Sequence, residues 1–453
     1  MKVKPEAHPP RLRGTRTAAV IGAGACGLCC AKYLHQAGFD VTIFEIGSMI
    51  GGLWCYQNDN GRSPAYRTLH INTSRSVTHF HDLDFDEDTQ YFPDHRDMRR
   101  YLERYADEFG LRDFIRFNTK VASVEPRFEP AAGEASRWEL VTEGGEQFEF
   151  DVVVGATGHL TTPMHVPMFR DDFEGEYVHA FDYREPEPYV GKRICIVGVG
   201  NSACDISGDV CATAARCVLV ARSGVLIVPK LLFGLPFTDI TAKIQRPQLP
   251  GWLRRKLIGW LVWMAHGDMR KLGFKPLEGE RAHITSNGTI VTDIAYNRIT
   301  VKHGIDKIDG KTLHFVDGTA EEFDVLIAAT GYLIDLDYVS RDVVPLEDNR
   351  LDLYKRMVQP DWPGLYFPGF FNLDSALNMV YEHQARWIRD VELGLAKLPT
   401  EAEMRADMKA KADWQSNTYR NSTRHTIEEE HVPYITELVR SRAAMKKRAL
   451  AGA

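Results

Sequence analysis

A chain of 453 residues, 44% hydrophobic and 26% charged, is long enough for two or three domains with substantial cores, which excludes extended disorder. Its formal net charge of −7 argues against a general nucleic-acid binder. The eight cysteines follow no framework spacing and several sit in apolar runs, which suits a reducing, cytoplasmic compartment.

Residues 1–15 are basic and proline-containing, with no apolar h-region, and read as a flexible tail without a secretory signal. The first strong pattern follows at once. Ala18 to Ile21 is a short apolar run leading into Gly22-Ala23-Gly24-Ala25-Cys26-Gly27, and Leu28 to His35 is helix-compatible. Gly22 permits a tight turn, Gly24 lets a pyrophosphate approach the backbone, and Gly27 lets helix and strand pack closely. A second apolar run, Val41 to Phe44, ends in Glu45, 23 residues beyond Gly22. An acid there accepts hydrogen bonds from ribose hydroxyls and repels a 2′-phosphate. Cys26-x-x-Cys29 falls inside this unit and reads as packing, without redox function.

Gly51-Gly52-Leu53-Trp54 comes next, its glycines permitting close approach to a ligand. Disulfide reductases with a similar layout carry two cysteines just after such a pair; here Cys55 is followed five residues on by Asn60, so no redox pair exists. Residues 60–100 are loop-rich and include Asn72-Thr73-Ser74-Arg75. His79-x-His81 with Asp82, Asp84, Asp86 and Asp88 looks like a metal site. A calcium loop aligned on Asp82 fails, because Glu87 and Pro93 stand where Gly and Glu are required, and we assign no metal. Arg96 to Phe109 reads as an amphipathic helix, with Met98, Tyr101, Leu102 and Tyr105 on its stripe. Ile115 to Phe150 reads as a meander of short strands broken at Gly144-Gly145.

Two later segments echo one another. Phe150 to Gly158 and Phe323 to Gly331 are both apolar strands ending in Ala-Thr-Gly, and would mark where the chain leaves one nucleotide domain and where it returns. Between them lies a second dinucleotide signature. Arg193 to Val197 is its strand, Gly198-x-Gly200-Asn201-Ser202-Ala203 its turn, and Asp205 to Ala214 its helix. The following strand, Val218 to Val220, ends in Ala221-Arg222-Ser223. A guanidinium there grips a ribose 2′-phosphate. The first site suits FAD and the second NADPH. The expected fold is α/β, with two Rossmann-like domains and the NADPH domain inserted into a split FAD domain. Its boundaries are 16–174 and 324–453 for the FAD parts, the latter with C-terminal helices, and 175–323 for the insert, with residues 184–189 as hinge.

Leu257 to Gly267 is eleven residues without Lys, Arg, Asp or Glu, against about 20 needed to span a bilayer. Leu257, Trp260, Leu261 and Met264 form a stripe expected to pack on the protein itself, and membrane contact is not expected. The basic segment Arg440 to Arg448 reads as a solvated helical end.

Phe173-x-Gly175-x-x-x-His179-x-x-x-Tyr183, lying between the two nucleotide sites, resembles the identifying motif of flavin-containing monooxygenases. The Gly51–Trp54, Asn72–Arg75, Gly198–Asp205 and Ala221–Gly224 stretches are similar to that family too, as are Ala329–Tyr332 and Glu382 to Trp387 with Gln384. Arg75 stands where the family usually has lysine and keeps the charge. The resemblance implies that Gly22 to Gly27, Glu45, Gly52, Leu53, Trp54, Thr73, Val121 and Gln384 serve FAD. It implies that Gly198, Gly200, Asn201, Ser202, Ala203, Asp205, Arg222 and Ser223 serve NADPH. It places Asn72 beside the flavin and the nicotinamide as the catalytic residue, hydrogen-bonded to a C4a-hydroperoxyflavin; a turn-forming asparagine is the alternative. His179 and Tyr183 are expected to act in hinge and docking.

The implied function is oxygenation, with O2, of a soft nitrogen or sulfur nucleophile on a small molecule. The alternatives are a Baeyer–Villiger ketone monooxygenase, an amino-acid N-hydroxylase and a flavin-binding redox sensor. Baeyer–Villiger enzymes carry Trp where Tyr183 stands, and a YPG segment that Trp54 to Tyr66 lacks. The chain is expected in the cytoplasm, with a homodimer left open.

Overall fold

Each glycine turn sits at the end of a central strand, and each central strand organises its own sheet. The structure, a computed structural model, describes residues 15–127, 137–245, 249–277, 284–418 and 426–451, so all but the last residue of the expected N-terminal tail (1–15) lies outside the described residues. In chain order the ten strands of the two sheets are β1 (Thr17–Ile21), β2 (Asp40–Phe44), β3 (Ile115–Arg116), β4 (Val152–Gly155), β5 (Glu176–His179), β6 (Arg193–Val197), β7 (Arg216–Val220), β8 (Thr300–Lys302), β9 (Val325–Ala328) and β10 (Leu365–Tyr366). The first sheet runs β10-β4-β1-β2-β3 and the second β8-β7-β6-β9-β5, parallel throughout.

The two sheets repeat one plan. β4 and β9 hold equivalent places beside the central strands, which explains the Ala-Thr-Gly echo. Both end against a glycine turn. Gly22 has φ +108° and a Cβ on it would stand 2.7 Å from the Ala156 carbonyl oxygen; Gly198 has φ +123° and a Cβ there would stand 2.5 Å from that of Ala329. All four residues of β9 are buried, and pairing on both sides, with β6 and β5, satisfies its backbone. The chain therefore leaves the second sheet at Ala328, one strand beyond the boundary read at 323, and rejoins the first sheet at β10.

The main helices are α1 (Ala25–Gln36), α2 (His95–Glu108), α3 (Asn201–Val210), α4 (Phe237–Ile244), α5 (Gly251–His266), α6 (Asn378–Glu392), α7 (Glu401–Thr418) and α8 (His431–Ala451). α2 buries Met98, Tyr101, Leu102 and Tyr105 and is closed by a capping box of Asp94 and Asp97. Residues Val121–Pro126, Trp138–Thr142 and Gln147–Phe150 form the antiparallel meander.

Two expectations are corrected. The stretch Arg440 to Arg448 of α8 is solvated only in part: Arg440, Lys447 and Arg448 are exposed, but Met445 is buried and Arg442 and Lys446 reach Asp390, a fully buried carboxylate on α6. A carboxylate is tolerated there because these two cations and Arg389 (2.8 Å) pair with it. In α5 the inward residues are the buried Leu261 and Val262 with half-buried Ile258 and Ala265, clustered with Val228, Leu232 and Phe237. Trp252, Leu257, Trp260, Trp263 and Met264 are exposed, Trp263 at 61%, so most of the expected inward stripe faces out. No helix among the described residues is long and apolar enough to cross a membrane.

In the first turn, Gly27 leaves no room for a side chain. A Cβ on Gly27 would lie 1.9 Å from the Gly22 carbonyl oxygen, whereas one on the exposed helical Gly259 meets nothing within 4 Å. Gly27→Ala should lower stability by about 1–3 kcal/mol or more through forced backbone movement. Gly259→Ala should raise it by about 0.5–1 kcal/mol. Thermal unfolding of the two variants checks this, and an unchanged Tm for Gly27→Ala would contradict the tight packing.

Candidate active site

The first turn is shaped for an anion. Gly22 N–H donates to the Phe44 carbonyl (2.8 Å), and α1 then starts at Gly24 with no side-chain cap and no acid in its first turn. A helix start left open in this way presents N–H groups and a positive dipole end; α2, closed by its own carboxylates, does not. Gly51 N–H donates to the Ala23 carbonyl (3.1 Å), and a Cβ on Gly52 would sit 3.1 Å from Gly24 Cα, so the Gly51-Gly52 backbone lies against the turn, with half-buried Leu53 and Trp54 following it. Glu45 is buried at the end of β2 and accepts from the N–H groups of Ala23 (2.8 Å) and Gly47 (3.0 Å). Burial pushes its carboxyl above the usual range, against the pull of those two donors.

Val121 shares a core cluster with Ile21 and Phe44, the ends of β1 and β2. Gln384 is wholly buried; its oxygen accepts from Gly369 N–H (3.1 Å) and its nitrogen donates to the Tyr434 hydroxyl (2.9 Å). A Cβ on Gly369 would stand 3.1 Å from Cys26 Sγ, so Gln384 holds the segment around Gly369 against the glycine turn. Cys26 itself is half-buried, and burial pushes the Cys29 thiol well up, as a packing role requires.

The second turn repeats the first. α3 starts at Gly200, again uncapped and without an acid in its first turn, and Ala203 is fully buried in the third-glycine place. Asn201 Oδ1 accepts from Ser286 N–H (2.9 Å), and Ser202 is half-buried beside it. Arg222, just past β7, is exposed and has no ion pair or hydrogen bond among the described residues, with half-buried Ser223 next to it. The two oxygens of Asp205 accept from the Tyr66 hydroxyl (2.8 Å) and Asn287 Nδ2 (2.7 Å). It therefore ties the two domains together.

Asn72 stands where the domains meet. Its Oδ1 accepts from Lys230 Nζ (2.9 Å), which also donates to the Ile71 carbonyl (3.0 Å), and its own carbonyl accepts from Ser286 Oγ (3.4 Å). Asn72 is thus linked through Ser286 to Asn201 on the second turn. Thr73 Oγ1 bonds Thr78 Oγ1 (2.7 Å), and Ser74 and Ser76 donate to Asp239 on α4. Arg75 donates to the carbonyls of Asp86 (2.9 Å) and Glu87 (2.8 Å), holding a loop. Lys230, Ser286 and Asn287 carry no local sequence signal and were not anticipated.

His179 is buried, its Nδ1 accepts from Phe181 N–H (3.0 Å), and burial pushes it down to about 4. Its ring is therefore neutral near pH 7. Tyr183 donates to Asp209 (3.1 Å) and meets Tyr66 edge-on, with ring centroids 5.9 Å apart. The two histidines of the acidic loop diverge. His79 turns to Asp84 (3.0 Å), while His81 Nδ1 lies 2.5 Å from the buried Glu382. His81, Asp82 and Glu382 cluster, but the Lys32 ammonium already sits on Asp82.

A family model described as flavin-binding monooxygenase-like matches residues 15–448. Flavin-containing monooxygenase 5 of Rattus norvegicus is 31% identical over 442 residues, covering 93% of this chain and 81% of the relative. Dimethylaniline monooxygenase (N-oxide-forming) 2 of Mus musculus is 31% identical over 442 residues, covering 92% and 81%. Among solved structures, an S-allyl-L-cysteine S-oxygenase from Allium sativum superposes with a TM-score of 0.70 at 26% identity, over 97% of this chain and 93% of that one. Cyclohexanone monooxygenase from Rhodococcus sp. Phi1, bound to NADP+, gives 0.67 at 18% identity over 96% and 98%, a likeness of fold alone. With two uncapped nucleotide turns in one chain and a family match along nearly all of it, this protein belongs to the flavin-binding monooxygenase-like family.

Proposed function

We propose that this FAD- and NADPH-dependent monooxygenase oxygenates a soft nitrogen or sulfur nucleophile of a small molecule with dioxygen. The observation that carries the reading is Asn72: an amide borne by the first domain and fixed by Lys230 and Ser286 of the second. The N-oxide-forming and S-oxygenating relatives support the substrate class. A ketone substrate rests on likeness of fold alone.

The residues present fit both nucleotides. The α1 start and Glu45 would hold the pyrophosphate and ribose of FAD, and the α3 start and Arg222 the pyrophosphate and 2′-phosphate of NADPH. FAD supplies hydride acceptance and oxygen activation. The chain supplies position, exclusion of water and one amide donor at Asn72, which can hydrogen-bond a reacting oxygen without surrendering a proton to it. No nucleophilic or acid–base side chain is required. We also place the protein in a reducing, cytoplasmic compartment, a reading supported by eight free cysteines, seven of them buried.

A competition between a thioether, a tertiary amine and a cyclic ketone at equal concentration tests the substrate class. Mass spectrometry should find sulfoxide and N-oxide in preference to lactone; lactone as the only product would overturn the reading.

A further inference from the structure

The cation beside Asn72 is contributed by the other domain and lies 158 residues away in sequence. Lys230 follows the strand Leu226–Val228 and is half-buried, with its ammonium turned to the first domain. Two of its hydrogens are placed, on the Ile71 carbonyl and on Asn72 Oδ1, and it stands 5.0 Å from the centre of the Phe92 ring. The lysine stem runs past Gly288, where an added Cβ would just reach contact with Lys230 Cγ at 3.4 Å.

An ammonium has donors and no acceptor, so the amide atom facing it must be the oxygen. That settles which way Asn72 points: Oδ1 is committed to Lys230, and Nδ2 is left as the donor turned away from it. Withdrawal of electron density through Oδ1 also strengthens the amide N–H as a donor.

We propose that Lys230 is a positioning residue for Asn72, holding the amide oxygen so that the amide nitrogen is the group offered to the reaction. The inference rests on the role given to Asn72 above. It makes the catalytic donor a two-domain construction, complete only when the second domain is seated on the first. The charged group acting on the ammonium is Asp205 on α3, which favours its charged form; Ile71, Asn72 and Phe92, facing it from the first domain, do not titrate. Burial outweighs Asp205 and pushes Lys230 down to about 8. Below that pH the ammonium holds the amide; above it the amine has lost its charge and holds it weakly.

Lys230→Met, Lys230→Arg and wild-type holoenzymes are compared in two ways. One is hydrogen peroxide released per NADPH across about pH 6.5–9.5, bracketing the lysine transition. The other is hydrogen exchange of the peptide spanning residues 69–78. The methionine variant should keep its FAD, release roughly tenfold more peroxide near pH 7, and exchange faster in that peptide. Arginine, charged throughout, should restore coupling and give a flat profile, while wild-type leakage rises as pH passes about 8. The wild-type profile needs no substitution, so a variant that misfolds does not remove the test.

Wild-type coupling and protection in Lys230→Met would overturn the proposal, as would identical pH profiles for wild type and Lys230→Arg. Leakage without faster exchange would place Lys230 in the reaction itself and also overturn a positioning role. If the wild-type enzyme fails to oxygenate every nitrogen and sulfur compound offered, the substrate reading fails instead, and the exchange measurement still decides for Lys230.

Discussion

Asn72→Leu should still bind FAD and be reduced by NADPH at a near wild-type rate, yet form oxygenated product about 100- to 1,000-fold more slowly. The NADPH consumed should appear as hydrogen peroxide. Loss of one preorganised donor typically costs about 2.7–4 kcal/mol where charge develops in a transition state. The substitution also strips Lys230 of one of its two oxygen acceptors, leaving only the Ile71 carbonyl, so stability should fall by about 1–3 kcal/mol. Asn72→Asp separates the two effects: a carboxylate satisfies Lys230 but offers no N–H. It should leak peroxide as the leucine variant does while keeping its stability. Peroxide, product and NADPH measured in one reaction, beside thermal unfolding, decide the matter. A leucine variant that remains coupled would make Asn72 a turn residue.

Arg222→Ala should raise the KM for NADPH by about 10- to 150-fold and leave that for NADH nearly unchanged, because only NADPH carries the 2′-phosphate. The range corresponds to about 1.5–3 kcal/mol for a charge-assisted contact. Arg222 is exposed and makes no ion pair among the described residues, so its removal should alter unfolding by no more than about 0.5 kcal/mol. Initial rates with both nucleotides across a range of salt provide the test, since an exposed charge contact weakens as ionic strength rises. Equal losses with NADPH and NADH would remove Arg222 from the second site.

What was legible in the sequence was local. The glycine turns declare themselves because Gly22 and Gly198 need positive φ and Gly27 admits no Cβ, constraints written within six residues. α2 was legible because its apolar stripe of Met98, Tyr101, Leu102 and Tyr105 is unbroken. α5 was not, because the run from Leu257 to Ala265 is so uniformly apolar that several stripes compete, and contact with α4 and Val228 selects the one through Leu261 and Val262. The C-terminal helix was hidden by its own charge. Arg442 and Lys446 look solvated until Asp390 on α6 is seen to need them. Lys230 was invisible for a related reason. One lysine after Val228-Pro229 has no periodicity to betray it, and its partner Asn72 belongs to the other domain. Motif spacing locates the glycine turns; Lys230, Ser286 and Asn287 emerge only from contacts between domains.

The claim that joins these observations is that electrons leave NADPH and one atom of dioxygen enters the substrate. Turnover of a thioether or tertiary amine under 18O2, with NADPH oxidation followed in the same vessel, tests it directly. One labelled oxygen and one NADPH per product are expected, with little peroxide. Unlabelled product, or NADPH consumed with peroxide as the sole oxygen-derived product across the substrates tried, would contradict it.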